Sequence, residues 1–123
     1  MKTFSDSSPV PAVSVAEVAS RLRTGGVRVY DCNPPQEWTR GHIPGATNLD
    51  PACFRSAELP AAADAMVVFY GTDESCSAAA FAAQRARSLG YTNVHLMSAG
   101  LAGWEDEGWP VEHVRPKRVA VRS

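Results

Sequence analysis

The segment Met66-Val-Val-Phe-Tyr70 constrains the fold more than any other part of the chain. Its five apolar residues have no polar interruption. Such a run suits a strand covered on both faces, as in parallel sheets. Gly71 to Ser77 then forms a loop of small and acidic residues, and Ser77 to Leu89 reads as an Ala-rich helix stopped by Gly90. A buried strand, a loop and a helix in succession predict an α/β domain.

The flanking sequence repeats that alternation. Val15 to Thr24 reads as a helix, with Ser14 as N-cap, Glu17 three residues on, and Gly25-Gly26 as the stop. Val15, Val18, Ala19 and Leu22 give it one apolar face. Val27 to Asp31, Ala46 to Leu49 and Asn93 to Leu96 or Met97 read as strands. Ala99 to Glu107 reads as a short helix, and Ala57 to Ala65 as a weak one broken at Pro60. Pro34-Pro35 and Gly41 to Gly45 read as turns. Residues 1–11 are expected to be a flexible lead-in, residues 12–112 the domain, and residues 113–123 a basic tail carrying Arg115, Lys117, Arg118 and Arg122.

Composition narrows the function classes. At 123 residues the chain is one domain. A net charge of -1 gives no case for nucleic-acid binding, and the tail reads as a solvated terminus. No apolar run approaches the roughly 18 residues of a membrane helix. The N-terminus has no secretory pattern, so a cytoplasmic protein with reduced thiols is expected. The three cysteines, Cys32, Cys53 and Cys76, have neither zinc-ligand spacing nor a C-x-x-C arrangement. No metal and no cofactor is expected.

Three segments in order resemble the rhodanese (sulfurtransferase) family. The first is Asp31-Cys-Asn-Pro-Pro-Gln-Glu-Trp-Thr-Arg-Gly-His-Ile-Pro-Gly-Ala46. The second is Val67-Val-Phe-Tyr70 with the loop and helix behind it. The third runs from Leu89-Gly-Tyr through Ala99-Gly-Leu-Ala-Gly-Trp104 to Gly108-Trp-Pro-Val111. The resemblance implies a five-stranded, mostly parallel sheet with helices on both faces. It also implies an active loop after Tyr70 that ends at a helix N-terminus, where N–H groups favour an anion. In the family a Cys opens that loop and carries sulfur as a persulfide, from a donor such as thiosulfate to an acceptor.

This chain departs from the pattern there. The residue after Tyr70 is Gly71, and the loop runs Gly71, Thr72, Asp73, Glu74, Ser75, Cys76, Ser77. Glycine cannot be a nucleophile. Cys76 stands about where a late Arg is often found, and Asn33 replaces an Arg after the first acidic residue. Asp73 and Glu74 bring the wrong sign for anion capture. A phosphatase reading fails, because no Arg follows Cys76 until Arg85.

Two readings follow. The first is a binding or regulatory module with a degenerate loop, without standard thiosulfate sulfurtransferase activity. The second is an active sulfurtransferase with Cys76 as the persulfide-carrying nucleophile. Redox sensing by Cys76 ranks third, for want of an evident resolving cysteine. Asp31 is expected to orient the loop by accepting hydrogen bonds. Cys32 and Cys53 read as packing residues, His42 as part of a structural turn with its ring bonded to backbone, and Trp38, Trp104 and Trp109 as core or rim. The expected partners are a small sulfur-containing donor or a protein, with no nucleic acid and no membrane, and the chain is expected to be a monomer or weak dimer.

Overall fold

A computed structural model of the chain describes residues 9–114. In chain order the elements are α1 (Val15–Thr24), β1 (Arg28–Asp31), α2 (Pro35–Arg40), β2 (Thr47–Asn48), β3 (Val67–Tyr70), α3 (Ser77–Ser88), β4 (Val94–Leu96) and α4 (Gly100–Asp106). The apolar run forms β3, inside a parallel sheet of order β2-β1-β3-β4. All four β3 residues are buried. Val67 and Phe69 face α3, where Ala79, Ala82, Ala83 and Ala86 are the buried positions. Val68 and Tyr70 face the other way, into a cluster with Val15, Val18, Ile43, Met97 and Trp104. A strand sandwiched between two apolar layers has no polar face to offer, which explains its unbroken hydrophobic sequence.

α1 has the bounds its caps predict: the Ser14 hydroxyl accepts from Glu17 N–H at 3.0 Å, and Gly25 ends the helix with a positive φ of 82°. Pro34-Pro35 does not break the chain but starts α2. Proline costs nothing at the first helical position, where its missing N–H has no partner to lose. The weak helix expected over Ala57 to Ala65 is reduced to a single 3-10 turn at Ser56–Glu58.

Among the described residues the sheet has four strands rather than the five expected. The position of a fifth is marked by a single bridge between Ala12 and Leu96. Leu96 N–H donates to the Pro11 carbonyl and Val13 N–H to the Leu96 carbonyl, each at 2.9 Å. Pro11 has no N–H to give, so the pairing does not extend into a ladder.

His42 is buried in its turn, with Nδ1 donating to the Trp38 carbonyl at 2.9 Å and its ring stacked on Trp38. Trp104 is buried and donates to the Pro110 carbonyl at 2.8 Å. Cys53 corrects the sequence expectation: it is exposed, beside Asp50, while the neighbouring Phe54 takes the core position. The four basic residues of the tail lie outside the described residues. Among the described residues no helix is long and apolar enough to cross a membrane.

Candidate active-site loop

The loop joins the C-terminal end of β3 to the N-terminus of α3, at the sheet edge where α/β folds place their sites. Gly71, its first residue, is buried, Thr72 to Ser75 are exposed, and Cys76 is half-buried at the N-cap of α3. Cys76 N–H donates to the Asp73 carbonyl at 3.1 Å, which closes a turn. The Asp73 carboxylate accepts from both the N–H and the hydroxyl of Ser75, at 2.9 and 2.7 Å. These bonds hold the Asp73 carboxyl below its ordinary pKa.

The start of α4 clamps the loop from the other side. Leu101 N–H donates to the Gly71 carbonyl and Ala102 N–H to the Thr72 carbonyl, both at 2.9 Å. Gly100 makes this approach possible. Its φ is +68°, and a Cβ there would stand 2.7 Å from Asp73 N and 2.8 Å from Asp73 Cα. Only glycine accommodates both the backbone conformation and the contact. An open depression of about 360 Å³ separates the two segments, lined by Asp73, Glu74, Ser75, Ala102 and Asp106 among others.

Cys76 does not cap α3 with its side chain. Its sulfur turns back to Gly71 instead. A Cβ built on Gly71 would lie 2.3 Å from Cys76 Sγ and 2.9 Å from Cys76 Cβ, with Ala79 Cβ next at 3.8 Å. The Cys76 thiol therefore fills the space that a side chain at position 71 would enter.

Asp31 lies fully buried under the loop. Its carboxylate accepts from the Tyr70 hydroxyl at 2.5 Å, Asn33 N–H at 2.8 Å and the Asn48 amide at 3.4 Å. Burial raises its pKa, and these hydrogen bonds oppose the rise. Tyr70 in turn accepts from Ile43 N–H at 3.0 Å, joining β3 to the Gly41–Gly45 turn. Burial, together with the adjoining Asp31 charge, pushes the Tyr70 hydroxyl pKa up. None of the Asp31 bonds ends within residues 71–77. The connection runs through Asn33, whose side-chain oxygen accepts from the Thr72 hydroxyl at 2.8 Å.

The sequence reading gave no role to Asn33 or Gly100. Asn33 stood out only as a departure from the family pattern, and Gly100 only as part of a quoted motif. Among the described residues no group of three His, Cys, Asp or Glu side chains could hold a metal ion.

Residues 14–107 match the rhodanese-like domain. The chain belongs to that family. Among curated relatives, it is 33% identical over 108 residues to a thiosulfate:glutathione sulfurtransferase of Homo sapiens, covering 76% of this chain and 92% of that protein. It is 37% identical over 92 residues to a thiosulfate sulfurtransferase of Pseudomonas entomophila, covering 72% and 79%. It is also 35% identical over 111 residues to an HTH-type transcriptional regulator of Mycobacterium tuberculosis. That match covers 89% of this chain, which spans about half (48%) of the regulator's length. The structure superposes on the human single-domain sulfurtransferase with a TM-score of 0.67 at 27% identity, covering 80% of this chain and 97% of that one. A Bacillus halodurans protein gives a TM-score of 0.75 at 21% identity, covering 84% and 77%, and shows the shared fold alone.

Proposed function

We propose that this rhodanese-family domain lacks standard thiosulfate sulfurtransferase activity and acts as a binding or regulatory module through residues 71–77. The observation that carries the reading is Gly71: this residue, where the resemblance places the family's nucleophile, has no side chain, and Cys76 occupies the room for one. Asp73 and Glu74 line the approach and disfavour an anionic donor such as thiosulfate. The match to part of a transcriptional regulator supports a regulatory role. On this reading the partner is a protein or a small sulfur-containing molecule rather than nucleic acid or membrane, and the chain works in the cytoplasm as a monomer or weak dimer. Purified reduced protein should show no thiosulfate:cyanide transfer. Transfer that disappears in Cys76→Ser would overturn the proposal.

A second reading is favoured by the direction of the Cys76 sulfur. A half-buried thiol aimed at the loop's first residue is placed to carry sulfane sulfur. This reading expects an adduct of about 32 Da on Cys76 after incubation with a sulfur donor, as a persulfide requires. An unchanged intact mass would rule it out.

A further inference from the structure

We propose that Cys32 and Cys76 form a redox-active dithiol, in which a hydroperoxide oxidises Cys76 and Cys32 closes the disulfide. The inference rests on reading residues 71–77 as the functional loop, and it supplies that loop's regulation.

The placement follows from sheet register. β1 and β3 run parallel with Asp31 opposite Tyr70, and Cys32 N–H donates to the Tyr70 carbonyl at 2.9 Å. The residues that follow the two strand ends, Cys32 and Gly71, therefore leave the sheet as neighbours, at roughly the 4.8 Å spacing of adjacent strands. Cys32 leaves the sheet on the α3 face, in a cluster that includes Ala79. A side chain at Gly71 would leave on the same face, toward Cys76 Sγ at 2.3 Å and Ala79 Cβ at 3.8 Å. Cys76 thus puts its sulfur in the side-chain position neighbouring Cys32. Because residue 71 is glycine, no Cβ comes between the two. Their electrostatics agree: Cys76 is one of the groups, after burial and Asp31, that push the Cys32 thiol up.

Exposure orders the chemistry. Cys32 is buried and Cys76 half-buried, so a reagent from solvent meets Cys76 first. The Cys76 sulfur attacks the peroxide: an S–O bond forms, the O–O bond breaks, and the alcohol (water, for hydrogen peroxide) leaves. Cys32 then attacks the sulfenic sulfur: the S–S bond forms, the S–O bond breaks, and the departing hydroxide takes the Cys32 proton as water. Two thiols and one hydroperoxide give one disulfide, one alcohol and one water, with two electrons passing from sulfur to oxygen. The product ties the end of β1 to the start of α3 and removes the thiol from the loop.

The test treats the reduced full-length chain, carrying Cys53→Ser to remove the exposed thiol, with hydrogen peroxide. The expected result is an intact mass lower by about 2 Da and a Cys32–Cys76 cross-linked peptide after digestion. Cys76→Ser should abolish the mass loss. Cys32→Ser, with Cys32→Ala as a second variant, should leave Cys76 as a sulfenic acid trapped by dimedone. An unchanged mass in the Cys53→Ser protein, or Cys76 accumulating as sulfinic acid while Cys32 stays reduced, overturns the proposal. Thiosulfate:cyanide turnover by the reduced protein would overturn the module reading while leaving the dithiol standing. Absence of the disulfide in an inactive protein would do the reverse.

Discussion

Gly71→Ala is the substitution that most directly probes the loop. Gly71 does not have a positive φ, so alanine meets no backbone penalty there. The cost is steric: the new Cβ would lie 2.3 Å from Cys76 Sγ and 2.9 Å from Cys76 Cβ, against an ordinary contact near 3.8 Å to Ala79. Overpacking of this kind costs about 1–3 kcal/mol. For a domain of this size that lowers the melting temperature by about 5–20 °C. Cys76→Gly removes both crowding atoms at an N-cap position, where glycine is well tolerated. In that background Gly71→Ala should cost less than about 0.5 kcal/mol, or stabilise slightly by restricting the unfolded chain. The double-mutant cycle, read by urea denaturation, should therefore give a coupling of about 1–3 kcal/mol. An equal penalty in both backgrounds would refute the reasoning, and so would a Gly71→Ala that costs nothing with Cys76 present. The same cycle decides how a nucleophile can be restored. Gly71→Cys should show thiosulfate transfer only when combined with Cys76→Gly, because the single variant has no room for its new side chain.

Three further outcomes follow from the surrounding structure. Gly100→Ala should cost about 2–4 kcal/mol, combining a left-handed backbone with a Cβ pressed on Asp73, and thermal melting measures it. Tyr70→Phe leaves both Asp31 and the Ile43 N–H short of a buried partner, and should cost about 2–4 kcal/mol by denaturant titration. The raised pKa of Asp31 sets a pH dependence. Below about pH 4 the carboxyl is protonated in both folded and unfolded chains; as pH rises through the folded value it must ionise while buried, and the stability it contributed is lost. The penalty for Asp31→Asn should therefore be larger near pH 4 than at pH 7, and melting curves showing the opposite trend would contradict this account.

What the sequence disclosed depended on whether a feature is local. The bounds of α1 are written in Ser14, Glu17 and Gly25, and β3 in five consecutive apolar residues, so both were readable. α2 was not: the Pro34-Pro35 pair that signals a turn also starts a helix, and the residues alone do not choose. The missing fifth strand reflects Pro11 at an edge, where one absent donor limits pairing to a bridge. The loop's limits and the position of Cys76 at a helix start were legible, whereas the direction of its sulfur was not. That direction, the neighbouring Cys32, the Thr72–Asn33 bond and the close approach of Gly100 all join segments distant in sequence. They exist only once β1, β3 and α4 have been brought together.

The loop keeps a thiol near its first residue while supplying it from the opposite end. A cysteine at position 71 would hold its sulfur on the strand. Here the sulfur hangs from the N-cap of α3, and Gly71 supplies the space. The substitution changes which reagents the thiol can meet. Asp73 and Glu74 are exposed on the loop and Asp106 lies across the depression, so an anion must approach against like charge. An uncharged hydroperoxide meets no such opposition. On the proposed reading, the carboxylates that oppose thiosulfate leave the route to Cys76 open for neutral oxidants, with Cys32 on its buried side. The bare position 71 and the closeness of the Cys76 and Cys32 thiols are, on that reading, two consequences of the same glycine.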